Sequence, residues 1–149
     1  MKYDRKMLEE WSKMPDWGDY LIQNGGLNKY SSKEGFQFLQ KEYYEYLDNR
    51  IRYCKNLLRH HKDDAFLCYV LAELYDRCNE DESPDYLYKR PVKYYCRKAL
   101  EIDPNFTLPK KLLQKTQEWL EFIGGDKGEN IVPDFDVGFG NRENTKEIT

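Results

Sequence analysis

The sequence predicts an all-α fold, and two observations carry that reading. Between Gly35 and Gly124 there is no glycine, and the only prolines are Pro84, Pro91, Pro104 and Pro109, so helix breakers are confined to a few places. Across the same span apolar residues recur at steps of three and four, the spacing of one face of an α-helix. A chain of 149 residues holds one domain, or a domain and a tail. The glycine pair at Gly124-Gly125 divides it into a helical domain over 1–123 and an acidic, partly apolar tail over 124–149.

Each element follows in order. Residues 4–12 read as a short helix that ends before Pro15. Residues 17–22 fit a helix or an extended segment, and Gln23-Asn24-Gly25-Gly26 marks a loop. Ser31-Ser32-Lys33-Glu34 contains a capping box, in which a serine hydroxyl accepts from a first-turn amide while Glu34 reaches back. From there Phe36, Leu39, Tyr43, Tyr46, Leu47, Ile51, Cys54, Leu57 and Leu58 trace one amphipathic face up to His61. The pattern fits one continuous or slightly kinked helix, or two with a turn near Asp48-Asn49. Residues 64–77 form the most apolar run, opened by Asp63 and Asp64 where a helix start favours negative charge. Residues 79–88, with Ser83-Pro84-Asp85, read as an exposed loop, and Pro91 suits the first turn of the helix that follows and runs to about Ile102. Asp103-Pro104-Asn105 ends it. A last helix carries Leu108, Leu112, Leu113, Thr116, Trp119, Leu120 and Ile123 on one side.

Residues 65–105 resemble a tetratricopeptide repeat, a helix hairpin with a period of about 34 residues. Where that family has tryptophan, leucine-glycine and tyrosine at set spacings, this chain has Cys68, Leu71-Ala72 and Tyr75. Where its second helix wants small residues and a closing proline, the chain has Val92, Cys96, Ala99 and Pro104. The physical logic agrees, because Ala72 and Ala99 are small where two hairpin helices must approach to about 8–10 Å. The sequence departs from the family in its sixteen residues between Tyr75 and Val92, about twice what such a repeat allows. Residues 36–61 match poorly, which leaves one clear repeat, one degenerate repeat and a capping helix. A helical bundle without repeats is the competing architecture.

The resemblance implies a concave groove that binds a partner peptide. Phe66, Tyr69, Glu73 and Asp76 share one face of their helix and, with Arg77, fall where the family touches ligands, so these five are the candidate partner-binding residues. The same face also fits a core aromatic pair beside a solvated acidic edge. The lysine and asparagine pattern with which some members clamp a terminal carboxylate is missing, since Tyr69 and Glu73 stand there. A chaperone-tail receptor is therefore disfavoured.

Charge yields a second reading. The tail carries six acidic and three basic residues, which is the whole net charge of −3, so the body is balanced overall but locally polarised. Two acid-free stretches hold Arg52, Lys55 and Arg59, and Lys93 and Arg97, among tyrosines Tyr53, Tyr94 and Tyr95. Cations interleaved with aromatics suit nucleic acid, although the same cations also form ordinary solvated helix faces. In the tail, Phe135, Val137 and Phe139 lie on one side of an alternating segment fit to dock on the body or on a partner.

The remaining signals exclude rather than assign. There is no GxSxG, no HExxH, no phosphate loop and no dinucleotide fingerprint. His60-His61 reads as a helix end, because adjacent side chains on a helix diverge by about 100°. Cys54, Cys68, Cys78 and Cys96 lack metal or redox spacing and read as reduced core residues. The mean hydropathy of −0.95 and an apolar run of only residues 65–72 leave no membrane span. The first residues hold no hydrophobic leader, which places the chain in the cytoplasm as an expectation. The sequence therefore predicts a non-enzymatic interaction module of adaptor, inhibitor or immunity type. Its partner is another protein or peptide, with nucleic acid as the second reading, and it needs no cofactor or metal.

Overall fold

A computed structural model describes residues 3–25, 33–78 and 85–122 of the chain. These residues form six helices and no strand: α1 (Arg5–Ser12), α2 (Trp17–Gln23), α3 (Lys33–His60), α4 (Ala65–Asp76), α5 (Asp85–Ile102) and α6 (Thr107–Phe122). The Ser31 end of the capping box, residues 79–84, the Gly124-Gly125 stop and the tail segment with Phe135, Val137 and Phe139 lie outside the described residues.

Local chemistry explains the helix starts. Asp4, Asp16 and Asp64 are extended N-cap residues whose carboxylates accept from the amides of Met7, Asp19 and Leu67 at 3.2, 2.8 and 3.0 Å. The helical alternative for residues 17–22 is the one adopted. α2 ends at Asn24 and Gly25, whose φ of 101° is the left-handed conformation that favours glycine after a helix. α3 is a single helix of 28 residues, about 42 Å long. It buries Leu39, Tyr43, Tyr44, Leu47, Ile51, Cys54 and Leu57, a strip at helical spacing.

Two expectations need correction. The expected exposed loop over 79–88 is helical from Asp85 onward, so Pro91 lies well inside α5 instead of in its first turn. The dipeptide Pro84-Asp85, taken as a loop signal, also fits a helix start, where a fixed φ and an acidic residue are both favoured. Pro91 leaves the Leu87 carbonyl without its α-helical donor, and its ring is buried against the core. Leu108, expected on the inner side of the last helix, is 43% exposed, whereas Leu112 and Thr116 one and two turns on are buried.

α4 organises the molecule. It is apolar nearly all round and buries nine of its twelve residues, as a helix without a polar face must. It packs most extensively on α5 and also against α1, α3 and α6, so four helices surround it. Ala72 and Ala99 are both fully buried in the α4 and α5 pair. Tyr75 stacks on Tyr95 with ring centroids 5.9 Å apart and planes 9° from parallel. At the other end of the chain, Trp17, Tyr20, Tyr43 and Tyr44 form an aromatic cluster that joins α2 to α3.

All four cysteines are free and fully buried. Burial pushes the thiols of Cys54, Cys68 and Cys96 up to about 12, 11 and 12. Because the thiolate is the reactive form, iodoacetamide at pH 8 is expected to spare these three in the folded protein and to modify all four cysteines in denaturant. The native state keeps its thiol protons where the unfolded chain, near 9.0, releases them. Their contribution is therefore complete below pH 9 and declines as pH rises towards 11–12. The urea midpoint should be level across neutral pH and fall above pH 9; a level profile through the alkaline range would contradict this burial.

Candidate functional site

The five partner-binding candidates do occupy one face of α4 and its C-cap, but they are not an open surface. Phe66 and Tyr69 are only 8% and 6% exposed. The expectation of two accessible aromatic anchors is thereby corrected, and the cause lies in the neighbouring elements. The Arg5 guanidinium of α1 sits 4.1 Å from the centre of the Phe66 ring, a cation–π contact. Tyr69 meets the edge of Phe106, 5.5 Å away, in the turn between α5 and α6.

The middle of the face is a closed polar ladder. The Tyr69 hydroxyl donates to the Glu73 carboxylate, which also accepts from the Arg77 guanidinium. Arg77 further donates from Nε to the Met14 carbonyl at 3.0 Å and from Nη2 to the Ser12 carbonyl at 3.4 Å. It thereby ties the segment between α1 and α2 to α4. Burial, followed by the Glu73 hydrogen bond, holds the Tyr69 phenol far above its ordinary value, so it remains a donor. Three of the five candidates thus act first as internal fasteners.

Cavities lie at both ends of this face. At the N-terminal end one of about 630 Å³ is bounded by Arg5, the turn from His60 to Asp64, Phe66, Asp103 and Phe106. It is strongly polar and of mixed charge. Two of its lining residues are held by Tyr3, whose ring is edge-on to His61 at 5.0 Å and whose hydroxyl donates to Asp64. The buried Nε2 of His61 has no hydrogen-bond partner. At the C-terminal end a second cavity of about 470 Å³ is bounded by Asp16, Trp17, Asp76, Arg77, Lys115, Thr116, Glu118 and Trp119. Phe66 and Asp76 are ten residues apart, which places the cavities about 15 Å from each other along α4. Among the described residues no group of three or more His, Cys, Asp and Glu side chains is placed to hold a metal ion.

The alternative basic surface is not brought together. Arg52 and Arg59 are exposed on α3, and Arg52 pairs with Asp48 at 3.0 Å. Lys55 and Arg97 are half-buried, and Lys93 is only 4% exposed. The correction follows from helix geometry: Lys93 precedes the buried Cys96 by three positions and so lies on the same side of the helix. Tyr53 and Tyr94 are exposed, as stacking residues need to be, but they stand on different helices.

No protein-family profile matches the chain, and no curated protein or solved structure is similar to it at a meaningful level. The described residues define an all-helical arrangement with a polar and aromatic cavity at each end of one α4 face. No helix among the described residues is long and apolar enough to cross a membrane.

Sequence reasoning missed the second cavity. Thr116 and Trp119 were legible as inward positions of the last helix. Nothing in their spacing joins residues 16 and 17 to residues 115–119, because the two segments meet only through the fold.

Proposed function

We propose that the chain is a non-enzymatic, tetratricopeptide-like interaction module, of adaptor or inhibitor type, that binds an extended segment of another protein along the α4 face. The observation that carries this reading is the pair of cavities at the two ends of one helix face. A strand advances about 3.3 Å per residue, so 15 Å spans side chains four to five residues apart. The Tyr69, Glu73 and Arg77 ladder holds the helix between the cavities rigid, which reduces the ordering cost of binding at either end. Ala72 on α4 and Ala99 on α5 are both fully buried, which is consistent with the small residues that a close helix pair of the repeat-like kind requires.

The test is selection of peptides from a random library on the immobilised protein, followed by fluorescence anisotropy. Selected peptides should lose at least about tenfold in affinity on Trp119→Ala, the size of an interface anchor. They should be unaffected by Arg52→Glu with Arg59→Glu. The opposite pattern, with affinity for a single-stranded oligonucleotide that falls steeply with salt, would replace this reading with nucleic-acid binding.

A further inference from the structure

We propose that the exposed face of α3 is a second binding surface, which takes a single strand of nucleic acid. It goes beyond the peptide-binding reading and is independent of it, since none of the residues it uses lines either cavity. Residues 46–52 and 53–59 are tandem copies of one pattern, Tyr-x-x-Asn-x-x-Arg: Tyr46, Asn49 and Arg52, then Tyr53, Asn56 and Arg59. All six are exposed, while Leu47, Ile51, Cys54 and Leu57 between them are buried. Seven residues bring a helix to within about 20° of two full turns, so the second copy stands almost in line with the first, about 10 Å further along the axis. A step of three residues is offset by about 60° around the helix. The two copies therefore draw three parallel rows: tyrosines, asparagines and arginines.

Each row suits one part of a single strand. Tyr46 and Tyr53 are 45% and 44% exposed and offer ring faces on which unpaired bases stack. Both rings are braced, Tyr53 by the edge contact with Trp11 at 5.4 Å and Tyr46 by the Arg50 guanidinium 5.7 Å away, which reduces the cost of ordering them. The asparagine amides in the middle row both donate and accept, as base edges require. Arg52 and Arg59 form the outer row, on the side where the phosphates would run. Arg52 pairs with Asp48 at 3.0 Å, an exposed pair of the weak kind. Residues 49–62 hold Arg50, Arg52, Lys55, Arg59 and Lys62 and no acidic residue, so the charge of this half of α3 complements a polyanion. A second copy of the helix fits less well, because a coiled-coil seam needs apolar residues at these seven-residue steps, and here they are tyrosine and asparagine.

The test is fluorescence anisotropy of a labelled twelve-residue oligothymidylate titrated with the full chain. In about 50 mM salt the dissociation constant is expected at about 1–100 μM. Two to four neutralised phosphates give a slope of log affinity on log salt of about −1.4 to −2.8, so about 200 mM salt should weaken binding roughly 7- to 50-fold. Arg52→Gln with Arg59→Gln should make that slope shallower by about 1.4. Tyr46→Ala with Tyr53→Ala should weaken binding at least about tenfold at an unchanged slope, and Tyr46→Phe with Tyr53→Phe should hold affinity within about twofold, because stacking uses the ring and not the hydroxyl. Tyr46→Ala alone leaves the contact between Tyr53 and Trp11 intact and should weaken binding about fivefold, so it serves if the double variant does not fold.

No anisotropy change at about 500 μM protein, or a salt slope indifferent to the arginine pair, would overturn the proposal. So would equal affinity for a duplex of the same length, or for inorganic polyphosphate, which has no bases to stack. Loss of library-peptide binding in the arginine pair would assign this face to an acidic protein segment and overturn it as well.

Discussion

Tyr43→Ala is expected to lower the unfolding free energy by about 3–5 kcal/mol, the range for removing a large buried aromatic side chain. Tyr43 is fully buried in α3, and its ring meets Trp17 at 5.6 Å, Tyr20 at 4.9 Å and Tyr44 at 5.1 Å. Its hydroxyl donates to the Pro15 carbonyl at 2.7 Å, just before the start of α2. One side chain therefore joins α2, its leading turn and α3, and alanine would leave a void that four surrounding groups cannot close. Tyr43→Phe isolates the hydrogen bond and should cost about 0.5–1.5 kcal/mol. Urea unfolding monitored by tryptophan fluorescence measures both. A Tyr43→Ala loss below about 1 kcal/mol would mean that the cluster is not packed as described.

Arg77→Met is expected to cost about 2–4 kcal/mol, because it leaves the Glu73 carboxylate without its counter-charge and the Ser12 and Met14 carbonyls without this donor in a mostly buried setting. The Arg77 and Glu73 side chains are 17% and 15% exposed, so water compensates only in part. Adding Glu73→Gln should recover much of the loss, since a neutral amide still accepts from Tyr69 and needs no counter-charge. Hydrogen exchange at residues 12–16 should accelerate in Arg77→Met, because Arg77 is what links their backbone to α4. If the stability loss appears without that local acceleration, the tie between α4 and the N-terminal helices is not the operative one.

How much of this was legible in the sequence differs by element. The helix starts near residues 4 and 64, the periodic strip from Leu39 to Leu57 and the breaker-free central run are local signals, and the structure repeats them. Pro91 shows where local rules stop. Its position inside α5 contradicts the preference of proline for a first turn, because packing on α4 outweighs a single missing hydrogen bond.

The candidate site divides in the same way. Helical periodicity placed Phe66, Tyr69, Glu73 and Asp76 on one face, and that placement is independent of any neighbour. Whether the face is open is a separate matter, settled by Arg5, Ser12, Met14 and Phe106, which come from sixty residues upstream and some forty downstream. Lys93 illustrates the converse, since a charged residue in an acid-free stretch reads as surface until the surrounding helices bury it.

By itself, the amino-acid order determined that the described chain is helical, where most helices begin, and which of them lies at the centre. Those properties come from hydrogen bonds and side-chain spacing within a few residues. The tertiary structure alone decided which faces are covered and that Trp17 and Trp119 share a cavity with Asp76, because burial depends on residues far apart in the chain meeting in space.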